Sequence, residues 1–364
     1  PSPLDEVALS TPESTAAARA VRVLLNRAKS MVAPQVRIAP TLATARRRET
    51  LPDWRESKLT LALIDKGGSG RLFIRVTECD SGRSLIAMYY NLDRADNPRF
   101  AAITDFLNRH RISAPAILAR REDLRLLWVE DLGEIDLGNL AGTDWQLSRF
   151  PAYQSALRTV FPIHQLSESS APADLPELER PFDESLYQWE QGYFLSHYVE
   201  RFHSPELAEV LKRHSSLAAL SRELAAFPRS LVHRDFQSTN VMLREGKSYL
   251  IDYQGLRWGL PEYDLASMIY DPYSEFTPAE TDDLIRAYFD LKQEAGHNES
   301  RDTFERRLVQ CAMQRLMQAL GAYGFLGEVK GKREFLRHIP TAKRRLLDLS
   351  RKEGGLPILA ECLG

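Results

Sequence analysis

His233-Arg234-Asp235-Phe236-Gln237-Ser238-Thr239-Asn240, followed by Ile251-Asp252-Tyr253-Gln254-Gly255, holds the chemistry of this chain. Asp235 and Asn240 are separated by one tight loop of five positions, and Asp252 follows Asn240 by twelve. Those twelve positions read as a β-hairpin. Val241-Met242-Leu243-Arg244 is a short apolar strand, Glu245-Gly246-Lys247 is a turn whose Gly accepts positive φ, and Ser248-Tyr249-Leu250-Ile251 is the return strand. A hairpin brings its two ends together, so Asn240 and Asp252 are expected to face one metal ion, with Asp235 close by. An acid to take a hydroxyl proton and two oxygen ligands for Mg²⁺ are what phosphoryl transfer from ATP requires.

The first stretch is H-R-D-x-x-x-x-N, and the second supplies the acid at the far end of a hairpin. Together they match the catalytic set of the kinase fold. Asp235 is the candidate base, and Asn240 and Asp252 are the candidate Mg²⁺ ligands. His233 reads as structural, since histidines of this motif usually hold the loop. Asp264, in Pro261-Glu262-Tyr263-Asp264-Leu265-Ala266-Ser267, starts a helix. It reads as a buried acid accepting backbone N–H bonds from the catalytic loop.

Upstream, residues 56 to about 130 are β-rich. Leu59-Thr60-Leu61-Ala62-Leu63-Ile64, Arg71-Leu72-Phe73-Ile74-Arg75-Val76 and the stretch 84–90 read as strands. Lys66-Gly67-Gly68-Ser69-Gly70 is a flexible turn between the first two. Its backbone N–H groups at Gly68, Ser69 and Gly70 are candidates to lie over phosphates. The third strand has no Lys to meet the α- and β-phosphates, so another cation is needed. Arg71 and Arg75 share a strand face with Phe73, and Arg71, nearest the turn, is preferred. Residues 100–110 read as a helix. Leu126-Leu127-Trp128-Val129 is an apolar strand running into Glu130-Asp131-Leu132, where two lobes would join and adenine would bond to backbone.

From Trp145 onward the chain is mostly helical apart from the hairpin, and residues 167–176 form a loop. The expected fold is α+β and two-lobed. It has an N-terminal helical extension (residues 1–55), a β-rich nucleotide-binding lobe (56–135) and a mostly helical catalytic lobe (136–364). In the extension, Ser10-Thr11-Pro12-Glu13 starts a helix whose apolar face carries Val21, Leu24, Leu25, Ala28 and Val32. Arg46-Arg47-Arg48 reads as a solvated turn.

The composition is that of an ordinary soluble protein of 364 residues, 43% hydrophobic and 27% charged, with net charge −2. That balance gives no support to nucleic-acid binding. No apolar run reaches the roughly 20 residues a membrane span needs, and no signal-peptide pattern stands at the start. The first residue is Pro1 rather than Met, so a processed or excised piece is expected. Cys79, Cys311 and Cys362 are odd in number and far apart, which fits a reducing cytoplasm.

These features resemble the aminoglycoside-phosphotransferase-like branch of the kinase fold. The closer likeness is to bacterial kinases that phosphorylate N-acetylmuramate and N-acetylglucosamine at the anomeric hydroxyl in cell-wall recycling. It covers residues 57–364. It rests on residues 67–76, Val129-Glu130-Asp131-Leu132-Gly133, Trp189-Glu190-Gln191-Gly192-Tyr193-Phe194-Leu195-Ser196-His197-Tyr198, residues 232–267 and Gln314-Arg315-Leu316-Met317-Gln318-Ala319-Leu320-Gly321. The resemblance implies an ATP- and Mg²⁺-dependent kinase with a small amino-sugar acceptor. Its candidate contacts, with Asp235, are Glu190, Tyr193, Gln254 and Arg315.

The short interval from Asp252 to Asp264 also bears on the acceptor. It leaves no room for an activation loop, and it has no A-P-E. The acceptor is therefore expected to be a small molecule. The alternatives are another small alcohol (aminoglycoside, choline-like amine or homoserine-like amino alcohol) and a degenerate kinase that only binds nucleotide.

Overall fold

The structure is a computed structural model that describes residues 59–64, 71–92, 94 and 96–364. The expected helix in residues 10–32, the Arg46–Arg48 turn and the glycine turn at Lys66–Gly70 lie outside the described residues.

Contacts divide the chain into two units. One holds the described residues up to Ala101 together with Ala116–Asp131; the other holds Ala102–Pro115 and Leu132–Gly364. Residues Ala102–Pro115, between the third and fourth strands, thus cluster with the second unit, which the expected border at 135 did not foresee. Two long-range bonds tie it there. The Thr104 and Tyr253 hydroxyls are 2.7 Å apart, and the Leu250 N–H donates to the Ser113 carbonyl.

The first unit is a five-stranded antiparallel sheet in the order β1-β2-β3-β5-β4. Its strands are β1 (Leu59–Ile64), β2 (Arg71–Glu78), β3 (Ser84–Tyr90), β4 (Ile117–Arg121) and β5 (Leu126–Glu130). Side chains alternate across the pleat. On one face Ile74, Val76, Leu85, Ala87 and Leu126 form a core, with Leu72, Leu118 and Trp128 packed against it. The opposite face of β2 carries Arg71, Phe73 and Arg75. Met88 in β3, where no Lys stands, is 0% exposed. The fourth strand was not legible in the sequence. It is short, half polar and shifts register between Ile117 and Ala119, which masks the period of two.

The second unit is built around helices. They are α1 (Arg99–Arg109), α2 (Phe150–His164), α3 (Glu184–Phe194), α4 (Pro205–Arg213), α5 (Ser215–Ala226), α6 (Pro261–Ile269), α7 (Pro278–Glu294), α8 (Arg301–Gly324), α9 (Ile339–Ser350) and α10 (Pro357–Leu363). The first three residues of α1 fall in the other unit. α8 is the axis of this unit and packs on α3, α6 and α9. It can approach α3 closely because Gly321 has no side chain. A Cβ there would sit 2.9 Å from Tyr193 Cδ1 and 3.0 Å from the Phe194 backbone nitrogen.

Both helices continue into a π-turn, Leu195–Val199 after α3 and Phe325–Val329 after α8. Such turns mark places where a helix is deformed to aim side chains. Among the described residues no helix is long and apolar enough to cross a membrane.

Two small sheets carry the catalytic loop. β6 (Ser230–Val232) pairs with β9 (Arg257–Gly259), and β7 (Val241–Arg244) pairs with β8 (Lys247–Leu250). The β7–β8 turn is shorter than the sequence suggested. Glu245 and Gly246 alone make it, at φ 51° and 73°, the positive-φ pair that suits the twist of a two-residue hairpin. The β6–β9 pair is three residues long on each side and has no periodicity to read.

Candidate active site

The loop between β6 and β7 is anchored from below by Asp264, in the first turn of α6 and fully buried. Its Oδ2 accepts the His233 N–H at 2.6 Å and its Oδ1 accepts the Arg234 N–H at 2.7 Å. Oδ2 also meets His164 Nε2 at 3.0 Å, and His164 Nδ1 is 2.6 Å from the Tyr288 hydroxyl. These bonds hold Arg234 at φ 78°, a left-handed conformation that a side chain resists. The backbone turns there and presents Asp235. His233 is buried, and its Nε2 is 3.0 Å from the Ile251 carbonyl. A carbonyl only accepts, so Nε2 carries the hydrogen, and the ring fastens the loop to the end of the hairpin.

Asp235 receives two kinds of support. Its carbonyl accepts from Asn240 Nδ2 and from the Gln237 N–H, both at 2.9 Å. Its carboxylate pairs with Arg234 Nη1 at 2.7 Å and lies 3.5 Å from Arg315 Nη2, with 26% of the side chain exposed. Burial pushes this carboxyl up, but Arg234 and Arg315 outweigh it and hold the group below the usual carboxylate value. It is therefore ionised at neutral pH and able to orient a hydroxyl and accept its proton. A base of this strength suits a loose phosphoryl-transfer transition state, in which little negative charge builds on the attacking oxygen.

The Ile251 N–H donates to the Asn240 carbonyl at 3.0 Å, closing the base of the hairpin. Asn240 thus stands beside one strand end and Asp252 beside the other. Because the Asn240 Nδ2 is committed to the Asp235 carbonyl, the amide has its Oδ1 available for a metal. Asp252 sits at φ 62°, and its Oδ1 accepts from Gln254 Nε2 at 3.0 Å. An amide oxygen and a carboxylate are hard donors that fit Mg²⁺, which keeps its remaining positions for phosphate and water.

The other proposed acceptor contacts are placed differently from one another. Arg315, on α8, bonds through Nε to Ser267 Oγ at 3.0 Å and through Nη1 to Gln318. Its side chain therefore arrives at Asp235 already oriented. Glu190, on α3, is 3% exposed. Its Oε1 accepts from the Tyr263 hydroxyl at 3.1 Å and its Oε2 from Gln314 Nε2 at 3.0 Å. Burial raises its pKa, opposed by the Gln314 hydrogen bond, then by the Arg234 charge, the Tyr263 hydrogen bond and the Arg315 charge. Glu190 stands behind the arginines that hold Asp235 rather than on an open wall. Gln254 is buried too, and it contacts Asp252.

Tyr193 lies on an aromatic wall. It stacks on Trp189 at 5.2 Å and meets His197 and Phe325 at 4.5 and 5.8 Å. Trp189 is 58% exposed. The two π-turns bring His197 and Phe325 to 5.0 Å.

In the first unit, Arg75 is clamped by Asp131 in a two-pronged ion pair, Nε–Oδ2 at 2.6 Å and Nη2–Oδ1 at 3.1 Å. Arg71 lies over the Phe73 ring at 5.7 Å. Glu130 Oε2 accepts the Ala116 N–H at 3.1 Å, which joins the start of β4 to the end of β5. In the second unit Leu132 packs with Met242 and Tyr249 under the hairpin. Gly68, Ser69 and Gly70 lie outside the described residues.

Sequence reasoning missed one support of the loop. Asp271, buried beyond α6, accepts the Ser238 N–H at 3.4 Å, the Ser238 hydroxyl at 3.2 Å and the Tyr273 N–H at 3.0 Å. Burial pushes its carboxyl up to about 6. Asp271-Pro272 reads locally as a helix-ending turn, so only the long-range bonds to Ser238 distinguish it.

Three kinds of comparison bear on this geometry. The model of the phosphotransferase enzyme family (APH) matches residues 60–299. A protein of Neisseria meningitidis serogroup B named N-acetylmuramate/N-acetylglucosamine kinase is 25% identical over 324 residues, 87% of this chain and 94% of that protein. Among solved structures, a choline/ethanolamine kinase family protein of Mesorhizobium loti superposes with a TM-score of 0.59 at 14% identity, covering 94% of this chain and all of that one. Aminoglycoside phosphotransferase APH(2″)-Ib superposes with a TM-score of 0.52 at 13% identity, covering 79% and 92%. The solved structures share the two-part fold, with an antiparallel sheet followed by a mostly helical part.

Proposed function

This chain belongs to the phosphotransferase enzyme family and is an ATP-dependent kinase, and we propose that its acceptor is an N-acetylated amino sugar, N-acetylmuramate or N-acetylglucosamine, phosphorylated at the anomeric hydroxyl. The observation that carries this reading is the likeness, along nearly the whole chain, to a kinase named for those two sugars. Two features of the site support it. The interval between Asp252 and Asp264 holds only a short turn, β9 and the start of α6, with no peptide platform. The hemiacetal hydroxyl is the most acidic of a free sugar, which suits a weak base such as the Asp235 carboxylate, held below its usual value by Arg234 and Arg315.

In this mechanism Asp235 orients the sugar hydroxyl and takes its proton as the oxygen attacks the γ-phosphate. Arg315 and Arg234 keep Asp235 ionised and fixed. Tyr193 and Trp189 offer an apolar face to the sugar ring. Glu190 and Gln254 act from behind, through Tyr263 and Gln314 and through Asp252 respectively. Arg71, the first described residue after the glycine turn in sequence, is the proposed phosphate partner, and Arg75, Glu130, Asp131 and Leu132 are individually proposed nucleotide contacts. Asn240 and Asp252 would hold Mg²⁺, which neutralises phosphate charge when bound. Use of ATP and three unpaired cysteines fit a cytoplasmic enzyme.

The product tests the acceptor. Phosphorus NMR of a reaction with N-acetylglucosamine is expected to show a phosphomonoester coupled to the proton at C1. Coupling to protons at C6, or no turnover of either sugar, would move the enzyme to another acceptor. A second test addresses the metal. Asp252→Ala is expected to remove the Mg²⁺-dependent part of nucleotide binding, since the metal loses its charged protein ligand. Unchanged MgATP affinity by calorimetry would mean that the hairpin does not build the metal site.

A further inference from the structure

The proposed acceptor site has a second, cationic border that the amino-sugar reading does not by itself require. Tyr273 is tied to the catalytic loop through Asp271, which accepts both the Tyr273 N–H and the Ser238 hydroxyl. Tyr323 lies on α8 two turns beyond Arg315, hence on the same face. The Tyr273 and Tyr323 rings are 6.4 Å apart, and the His338 ring sits against both, at 4.3 and 5.6 Å. Phe335 stacks on Tyr323 at 6.4 Å. A short 3₁₀ segment, Arg333–His338, is thereby seated on the aromatic pair that extends from Arg315 and Asp271.

This segment presents charge outward. Lys330, Lys332, Arg333 and Arg337 are all exposed, and among the described residues no carboxylate pairs with any of them. Elsewhere in the same unit arginines are mostly committed to carboxylates, as Arg149, Arg229, Arg301 and Arg307 are. Arg337 is also oriented. Its Nε donates to His338 Nε2 at 3.1 Å, so its two Nη groups form the open end of the fork. Lys330 lies over Phe325 at 5.5 Å, so the cationic edge begins at the aromatic wall and ends at the Tyr273–Tyr323 pair. The four cations outnumber the two exposed carboxylates of the same stretch, Glu328 and Glu334, so the edge as a whole attracts an acidic acceptor more than a cationic one.

We infer that this edge, through Arg337 at its end beside the Tyr273–Tyr323 pair, takes the carboxylate of an acidic amino sugar, the lactyl ether of N-acetylmuramate, and so favours it over the neutral N-acetylglucosamine. The inference rests on the amino-sugar reading and adds the residue that discriminates between the two sugars. A guanidinium fork meets a carboxylate with two parallel bonds, and an ammonium meets it only as a point charge.

The test compares kcat/KM for the two sugars in wild-type protein, Arg337→Ala and Arg337→Lys. Arg337→Ala is expected to lower the acidic-to-neutral ratio of kcat/KM by about tenfold to a hundredfold. Arg337→Lys should recover part of it. In wild-type protein the same ratio should fall as ionic strength rises, because exposed charges are screened; this measurement depends on no variant. Turnover of both sugars with a ratio that neither Arg337→Ala nor salt moves would overturn the inference and leave the sugar-kinase reading intact. Turnover of neither sugar by wild-type protein would overturn that reading and this inference with it.

Discussion

Replacing Asp235 by Asn is expected to lower kcat by roughly 10²–10⁴-fold while leaving nucleotide binding intact. Asn keeps the shape of Asp, but its one oxygen can accept from only one of Arg234 and Arg315, which meet different oxygens of the carboxylate. It cannot take a proton, and it no longer balances the two guanidinium groups that converge on it. The backbone bonds from Asn240 and Gln237 to the Asp235 carbonyl do not involve the side chain, so the loop should keep its form. Single-turnover kinetics measures the loss, and calorimetry with MgATP checks that binding survives. A variant turning over within tenfold of wild type would remove Asp235 as the base. A variant that also fails to bind MgATP would mean that the charge imbalance, rather than the missing base, had disabled the site.

The second large effect concerns the footing of α6, the helix that delivers Asp264 to the loop. Glu262, two residues before Asp264, is buried and accepts from Lys292 Nζ at 3.0 Å and Arg307 Nη2 at 2.7 Å. Glu299 pairs with both cations. Lys292 lies over Phe304 and Arg307 over Phe227, at 5.0 and 5.1 Å. Three helices, α6, α7 and α8, are joined at this point. Burial alone would raise the Glu262 carboxyl, yet Lys292 and Arg307 hold it at about 2.

Removing one partner from a buried ionic cluster strands the others. Glu262→Gln is therefore expected to cost about 3–5 kcal/mol at neutral pH, read from urea unfolding. The pH dependence should change with it. A carboxyl whose folded pKa is depressed gives stability that is present above its unfolded value, near 4.5, and lost as pH falls toward about 2. Acid destabilisation between those limits should be shallower in Glu262→Gln than in wild type. A loss under 1 kcal/mol, or an unchanged acid limb, would mean that Glu299 alone holds the two cations.

The parts of this protein legible from sequence are those whose physics is local. The hairpin between Asn240 and Asp252 could be read because turn chemistry and alternation act within a dozen residues, and the structure differs in a two-residue turn and a return strand moved one residue earlier, to Lys247–Leu250. The strands β1 and β2 could be read from alternation, which the pleat imposes, and β3 and β5 from short apolar runs of strand length. The Asp264 anchor could be anticipated because a helix start beside a catalytic loop places a carboxylate near free N–H groups.

What the sequence could not specify is which distant polar groups meet. Arg315 and Asp235, Asp271 and Ser238, Glu262 and Arg307, and Arg75 and Asp131 each pair across long stretches of chain. A polar residue on a helix looks the same to its neighbours in sequence whether it faces water, a ligand or another helix. For that reason Glu190 and Gln254 read as open sugar contacts but lie inside, bonded to Tyr263 and Gln314 and to Asp252.

The sequence by itself thus determined which candidate residues meet, because one loop and one hairpin gather Asp235, Asn240 and Asp252. The tertiary structure decided how that chemistry is held. The ionised state of Asp235, the rigidity of the loop and the cationic edge at Arg337 arise only where helices pack, since burial and charge pairing depend on what the rest of the chain brings into contact.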